Sequence, residues 1–484
     1  MKSGQTFSLL LLLTTASVSF SCLNDKEKTD VNGYPEDIAK IVLTNCANAG
    51  CHNDLSYMNC AGLNLSTWEK CLEGGKLNAV VIPYRPDQST FFHSVNTDST
   101  LGPVLIPTMP LNLTSLSRTQ ILEIQNWIQN GAPNENGIIA FSGDPFRKKI
   151  YVINQGCDLI SVFDKKSKLL MRCIDVGNQT GIESPHDLFV APDNQHWYLS
   201  FYSNSIVQKY DAVNDVLVGQ LNLGEISWHS MAVSNDSRYG LAVHWADDGI
   251  VALLDLNTMT VLSQNTGFSY PHGCTLNADG SVGYVTAEQG NFLTRFDFSN
   301  PLLPDESKVV LNPGTQAMNY GIYKPYEVDF CPDFSKYAVT CQGTHEVRVF
   351  DAATDTLLVA IPTSGVPQLM GFSADNTLLF VTNMEDSANA GTMSAIDVID
   401  LRNLVKIKSI ISGYQPRGLA VDDEQGLVWI ANRNISPVGW TPHHSSACAG
   451  RNGYITLLDM HSLELVPNWK SEIAVDPYCV GIRK

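Results

Sequence analysis

The segment Cys46-Ala-Asn-Ala-Gly-Cys51-His52 has the residue types and spacing that most directly suggest chemistry. Each thiol can add across a vinyl group of haem, and the imidazole next in sequence is then held against one face of the iron. Four residues separate the cysteines here instead of the usual two. A second axial ligand is available downstream in Met109, within Leu-Ile-Pro-Thr-Met109-Pro110, where flanking prolines restrict the backbone. A methionine thioether in that role raises the potential of the iron. His93 is a rival distal ligand, although a packing or surface role explains it better. The thiols have two other readings: a disulfide between Cys46 and Cys51, or a structural zinc site of Cys46, Cys51, His52 and a further thiol.

The elements that must position these residues are legible. Pro35 to Asn45 reads as a helix leading into the cysteines. Ile121, Leu122, Ile124, Trp127 and Ile128 form one apolar face at helical spacing, and Asn130-Gly131 is a stop signal. Together with Gly62-Leu63-Asn64-Leu65-Ser66, Met109-Pro110 and Trp127-Ile128-Gln129-Asn130-Gly131-Ala132, this order resembles the bacterial c-type cytochrome domains that use a C-x4-C-H site. The resemblance covers residues 35–135. It implies a small all-α domain with one covalent haem c per chain, held by Cys46 and Cys51, with His52 proximal and Met109 distal.

Residues 1–21 carry Lys2, an apolar run at Leu9 to Leu13 and small residues before Cys22. That is an export signal, too short to span a bilayer as a mature helix. Its end resembles a bacterial lipoprotein signal, which implies lipidation at Cys22 and a polar tether over 22–34; a soluble exported protein is the alternative. The expected location is periplasmic or at the cell surface, held to the membrane by the lipid anchor. Twelve cysteines fit an oxidising compartment, where Cys60 with Cys71 and Cys157 with Cys173 are candidate bridges. A net charge of −18 argues against nucleic acid as a partner.

Residues 139–484 are a repeat array. Six segments align without gaps, beginning at Pro185, Trp228, Pro271, Pro325, Pro367 and Pro416. A second marker, a strand ending in aspartate before a turn, occurs seven times, at Asp164, Asp211, Asp255, Asp297, Asp351, Asp400 and Asp459. Units of this length with about four strands are propeller blades. The first unit lacks its Pro-x start, and Pro477-Tyr-Cys-Val-Gly-Ile at the C-terminus supplies the missing piece. The expectation is a seven-bladed ring closed by the last strand, so the fold class is multi-domain, a small all-α domain followed by an all-β propeller. Tyr151-Val-Ile-Asn, Tyr284-Val-Thr and Phe380-Val-Thr-Asn resemble the YVTN-type propellers of bacterial surface and periplasmic proteins. That resemblance specifies architecture and is nearly silent on chemistry.

His186, His229 and His272 occupy the same repeat position in three successive units and are expected side by side at the channel mouth. Tyr326, Gln368, Arg417 and Tyr478 are their equivalents in the others. His244, His345, His443 and His444 are expected toward the same face. Clustered imidazoles bind copper, zinc or iron, while Arg417, Glu327 and Tyr326 suit an anionic or polar small molecule. A repeated histidine is also what blade duplication leaves behind. The copper-cluster motif of nitrous oxide reductase, a propeller in the wider group, is not in its expected place. Three functions follow: a haem c electron-transfer lipoprotein whose propeller docks an envelope redox partner or a substrate; an oxidoreductase with a metal or substrate site at the propeller mouth; or a surface lipoprotein that binds protein or glycan.

Overall fold

The computed structural model describes Met1 and residues 31–76, 78–384, 393–433 and 453–484, with the short strands Ile435–Ser436 and Gly439–Trp440. The export signal, Cys22, most of the tether, His443 and His444 lie outside the described residues. No helix among the described residues is long and apolar enough to cross a membrane.

Residues 34–132 carry four α-helices joined by loops. α1 (Glu36–Asn45) begins behind Pro35 with two acids in its first turn, which suits the positive end of the helix dipole. It buries Ile38, Ala39, Ile41 and Val42 and delivers the chain to Cys46. α2 (Trp68–Leu72) is capped by the Thr67 hydroxyl, and α3 (Thr90–Val95) buries Phe91 and Phe92. α4 (Arg118–Gln129) starts in a capping box of Ser117 and Gln120 and ends at Asn130 and Gly131, the latter at φ 93°. Ile121, Ile124, Trp127 and Ile128 are buried as expected, with Leu122 half-buried at the margin. These faces meet in one apolar core with Tyr34, Leu65, Trp68, Phe92 and Cys46, where each fully buried large side chain contributes about 1.5–3 kcal/mol.

Seven antiparallel blades follow, five as separate four-stranded sheets and the last two within one eight-stranded sheet. Their innermost strands are Pro477–Arg483, Pro185–Val190, Trp228–Val233, Pro271–Leu276, Pro325–Phe330, Val366–Phe372 and the second half of Val405–Asp422. Each lies against the next, and Pro477–Arg483 lies against both Pro185–Val190 and Val405–Asp422, so the ring is closed. The C-terminal strand pairs with Lys149–Asn154, with Tyr151 opposite Gly481, and completes the first blade. Closure of this kind leaves no exposed inner edge. Two blades depart from independent units: Val405–Asp422 is one 18-residue strand, the outer strand of the sixth blade and then the inner strand of the seventh.

The repeated aspartates have a physical role. Each accepts a backbone N–H two or three residues on, from Ser167, Asn214, Thr258, Ser299, Thr354, Asn403 and Ser462 respectively. Each carboxylate thereby holds the turn into the outer strand. Ion pairs of buried lysines join blades at the closure. Lys165 lies 2.7 Å from Asp422 and 2.9 Å from Glu424 across the seam between the first and seventh blades, and Lys149 lies 2.6 Å from Asp215 between the first and second.

The helical part docks on the outermost strand of the first blade, Leu169–Asp175. Asn78 donates to the Lys168 carbonyl at 2.8 Å and accepts from the Leu170 N–H at 2.8 Å. Arg85 reaches Asp175 at 2.8 Å, while Ala79 and Ile82 join the blade's own apolar cluster.

Two expected disulfides are corrected. Cys60 and Cys71 both keep their thiols: Cys71 is wholly buried beside Tyr34, whereas the Cys60 thiol turns outward to the Gly50 carbonyl. Cys157 is disulfide-bonded, but not to Cys173, which keeps its thiol. Cys157 sits in the turn Gln155–Cys157, while Cys173 stands opposite Ser161 on the outer strand and packs toward the Trp429 cluster.

Candidate functional site

Two sets of residues singled out from the sequence assemble in different parts of the molecule. In the helical part, α1 ends in a turn that bonds the His52 N–H to the Cys46 carbonyl at 3.1 Å, which keeps His52 beside both cysteines. The His52 Nδ1 faces the Leu63 carbonyl at 3.1 Å. A carbonyl only accepts, so Nδ1 carries the proton and the Nε2 lone pair is left available. Asp54 buttresses this loop through Asn64 at 2.8 Å, Ser66 at 3.0 Å and Lys70, and these partners hold its carboxyl down at about 2. Cys46 is buried in the helical core and burial pushes its thiol up to about 12. Cys46 and Cys51 are not bonded to each other. Among the described residues Cys46, Cys51 and His52 form no cluster at metal-binding distance with a fourth donor, so neither the disulfide nor the zinc reading is supported.

Met109 packs against the same core as Cys46, and its N–H bonds to the Ser94 carbonyl at 2.7 Å. The loop before it is pinned by the Leu105 N–H to the His93 carbonyl at 3.2 Å. The end of α3 therefore fixes the methionine loop, and His93 itself is buried beside Phe92, a packing position. The peptide bonds Ile106-Pro107 and Met109-Pro110 are cis. Large apolar side chains stand exposed on the two loops that carry these residues: Leu55 and Met58 after His52, and Leu105, Ile106, Leu111 and Leu113 around Met109, with Leu55 at 97% and Ile106 at 91%.

At the propeller axis, seven side chains, one per blade, converge, five of them in a closed ring of contacts. His186 stacks on His229 at 4.4 Å between ring centroids, and His272 stands edge-on to them at 5.8 and 5.1 Å. His272 stacks on Tyr326 at 3.8 Å, the Tyr326 and Tyr478 hydroxyls are 2.7 Å apart, and Tyr478 returns to His186 at 4.3 Å. Arg417 lies over the Tyr478 ring at 4.5 Å and donates to Gln368 at 3.2 Å. The side chains of all seven residues are buried. Donor atoms of the three histidines all lie within 4.8 Å of one another. His272 Nδ1 donates to the Tyr326 carbonyl at 3.1 Å, which again leaves Nε2 as the lone-pair nitrogen. Burial, with Arg417 nearby, pushes the His272 imidazole down to about 3, so it is neutral at neutral pH.

The backbone reason for this convergence is a bulge. Pairing shifts register just after the first residues of the inner strands, between Pro185 and Leu188, Trp228 and Ser230, Pro271 and Cys274, Pro325 and Val328, Pro367 and Met370, and Pro416 and Leu419. A bulge re-aims its residues. It is stitched by the threonine of the YVT-like repeat. Thr286 accepts from the Gly273 N–H and donates to the Tyr326 carbonyl of the next blade; Thr340 does the same for Glu327 and Gln368, and Thr382 for Leu369 and Arg417. Gly273 is required here, because a Cβ would lie 2.6 Å from the Tyr326 carbonyl.

Glu327, named from the sequence at this mouth, belongs to a second layer beside the ring whose other members sequence reading missed. Asp187, which accepts from Ser230 and the Met231 N–H, and Glu327 and Asp329 are half-buried carboxyls raised chiefly by burial, Asp329 to about 6. Cys274 and Cys479 lie with them, the latter 3.3 Å from Asp187. Asp187 and Glu327 each follow a ring position directly, the one signal that could have found them. Of the other histidines, His244 pairs with Trp228 across the sheet and His345 lies in a turn at φ 51°. Among the described residues only the three ring imidazoles form a cluster able to share an ion.

No protein-family model matches the chain, and no curated protein matches it. Solved structures do. A protein of unknown function from Desulfotomaculum acetoxidans aligns with a TM-score of 0.52 at 15% identity, over 68% of this chain and 99% of that one. The dihydro-haem d1 dehydrogenase NirN aligns at 0.47 and 16% over 70% of this chain and 76% of that one. Hydrazine synthase from Kuenenia stuttgartiensis aligns at 0.47 and 18% over 59% and 79%. The first of these likenesses shows the fold of this chain as one shared with a solved protein, and shows no activity.

Proposed function

We propose that the protein is a haem c electron-transfer lipoprotein of the cell envelope, exported and anchored through Cys22, whose propeller docks a redox partner or a substrate. The observation that carries this reading is the His52 imidazole. Its Nδ1 is held by Leu63 and its Nε2 is available, immediately beside two thiols that are neither bridged nor part of a zinc cluster. The exposed apolar side chains on the His52 and Met109 loops fit the same group, since a flat apolar macrocycle covers surface of that kind. Cys46 and Cys51 would hold the haem, His52 and Met109 would ligate its iron, and the bound group would supply a one-electron couple. The chain's own work is orientation. Leu63 sets the tautomer of His52, Ser94 holds the methionine loop, and the Asp54 cluster stiffens the turn between the cysteines and α2.

The deciding experiment is expression in a host with haem c maturation machinery, followed by the absorption spectrum in alkaline pyridine. One covalent haem per chain is expected, lost in Cys51→Ser and in His52→Ala. Protein that carries no covalent haem under those conditions overturns the reading.

A further inference from the structure

We propose that the propeller mouth is a metal site in its own right, in which His186, His229 and His272 bind one first-row transition ion, copper most tightly, and Arg417 receives a small anion as a further ligand of that ion. The inference does not rest on haem in the helical part.

Three features carry it. Three imidazoles from three different blades converge with donor atoms within 4.8 Å, all buried, on strands whose bulges aim them at one point. A single histidine at a strand start is commonplace; three that meet across separate sheets are a ligand set. His272 has the outer-shell partner that metal-bound histidines have, a carbonyl on the far nitrogen that fixes the tautomer and aims the lone pair. That carbonyl belongs to Tyr326 and is itself tied down by Thr286. The donor set is three neutral nitrogens with no carboxylate or thiolate among them. Such a set suits copper or zinc over calcium, magnesium or manganese, and copper stands above zinc in the general order of affinity.

Arg417 supplies the second half of the proposal. It is buried on the same ring, and its guanidinium contacts there are Gln368, the Met384 sulfur at 3.1 Å and the Tyr478 face. Among the described residues no carboxylate lies within ion-pair distance of it, and its buried Nε has no hydrogen-bond partner. Its neighbour Arg433, by contrast, is paired with Asp476. A buried guanidinium without a counter-ion is matched by an anion. Three neutral ligands leave a divalent ion with its full charge and an open coordination position, which an anion fills. Azide, with its charge and length, is a suitable probe.

The test uses the full mature chain, stripped with a chelator and titrated separately with Cu(II) and Zn(II) against a chromophoric competitor, with metals and haem iron quantified per polypeptide. One copper per chain is expected, with nitrogen hyperfine structure in its electron paramagnetic resonance spectrum. His272→Gln, and independently His229→Gln, should weaken binding by roughly 100-fold or more, since loss of an outer-shell partner alone costs 10–100-fold. Circular dichroism and thermal melting identify any variant that fails to fold, and the other then decides. Arg417→Gln should retain the copper and require several-fold more azide to shift its visible spectrum. A stripped chain that takes up no stoichiometric copper or zinc, or one whose histidine variants bind as the parent does, overturns the metal site. Azide sensitivity unchanged in Arg417→Gln overturns the role of Arg417.

Discussion

The helical part and the propeller assemble donors in opposite ways. In the helical part the two thiols and His52 are neighbours in sequence, and one turn after α1 suffices to bring them together. In the propeller the histidines stand at 186, 229 and 272, a repeated step of one blade, and each is harmless alone. Only ring closure and a bulge in each inner strand make them meet. The first arrangement is local and survives damage elsewhere; the second depends on the integrity of the whole ring.

Mutation can separate the two. The largest expected effect is in the helical part: His52→Ala or Cys51→Ser should abolish haem incorporation, read from the pyridine spectrum, while copper uptake by the propeller stays as in the parent. Loss of both together would break the contrast. The next is at the seam. Lys165→Ala leaves Asp422 buried without its cation and should cost about 3–5 kcal/mol, measured by urea unfolding, with the histidine cluster loosened at the same time. Thr286→Val removes the hydroxyl that joins Gly273 to Tyr326 and should cost about 1–3 kcal/mol, with a weaker hold on His272.

The smallest effect is one of pH. Asp329 titrates at about 6 in the folded chain against about 3.9 unfolded. Its contribution to stability is full below pH 4 and is lost as the pH rises through 6, because a charged carboxylate must then be buried. Asp329→Asn removes that dependence. Its stability relative to the parent should improve by about 3 kcal/mol as the pH rises from 4 through 6 and level off above, measured by thermal melts across that range. A flat difference would place Asp329 in water, outside the packed channel.

Much of this was legible in the residues. α1 and α4 follow from apolar spacing and end signals, and the blades follow from six aligned starts and seven aspartates whose turn bonds explain their recurrence. The C-terminal strand in the first blade followed from counting, since one unit lacked its start. The cysteine pairings failed because spacing along a chain says nothing of which way a side chain faces: Cys71 points into a core and Cys60 away from it. The carboxyls Asp187 and Asp329 were hidden for a related reason. In an ideal strand, residues that follow one another face opposite sides, and only the bulge brings Asp187 near the ring beside His186. The shared strand Val405–Asp422 has no sequence mark at all, because its two halves look like any outer and inner strand.

The threonine stitch carries a consequence for how such a mouth can change. Each hydroxyl grips only main-chain atoms, the N–H of one blade and the carbonyl of the next. The backbone frame is thus indifferent to which side chain it displays at the ring position, and histidine, tyrosine, glutamine and arginine all occupy it in this one chain. A scaffold that tolerates substitution at seven converging points, one at a time, lets selection alter what enters the axis without re-founding the fold.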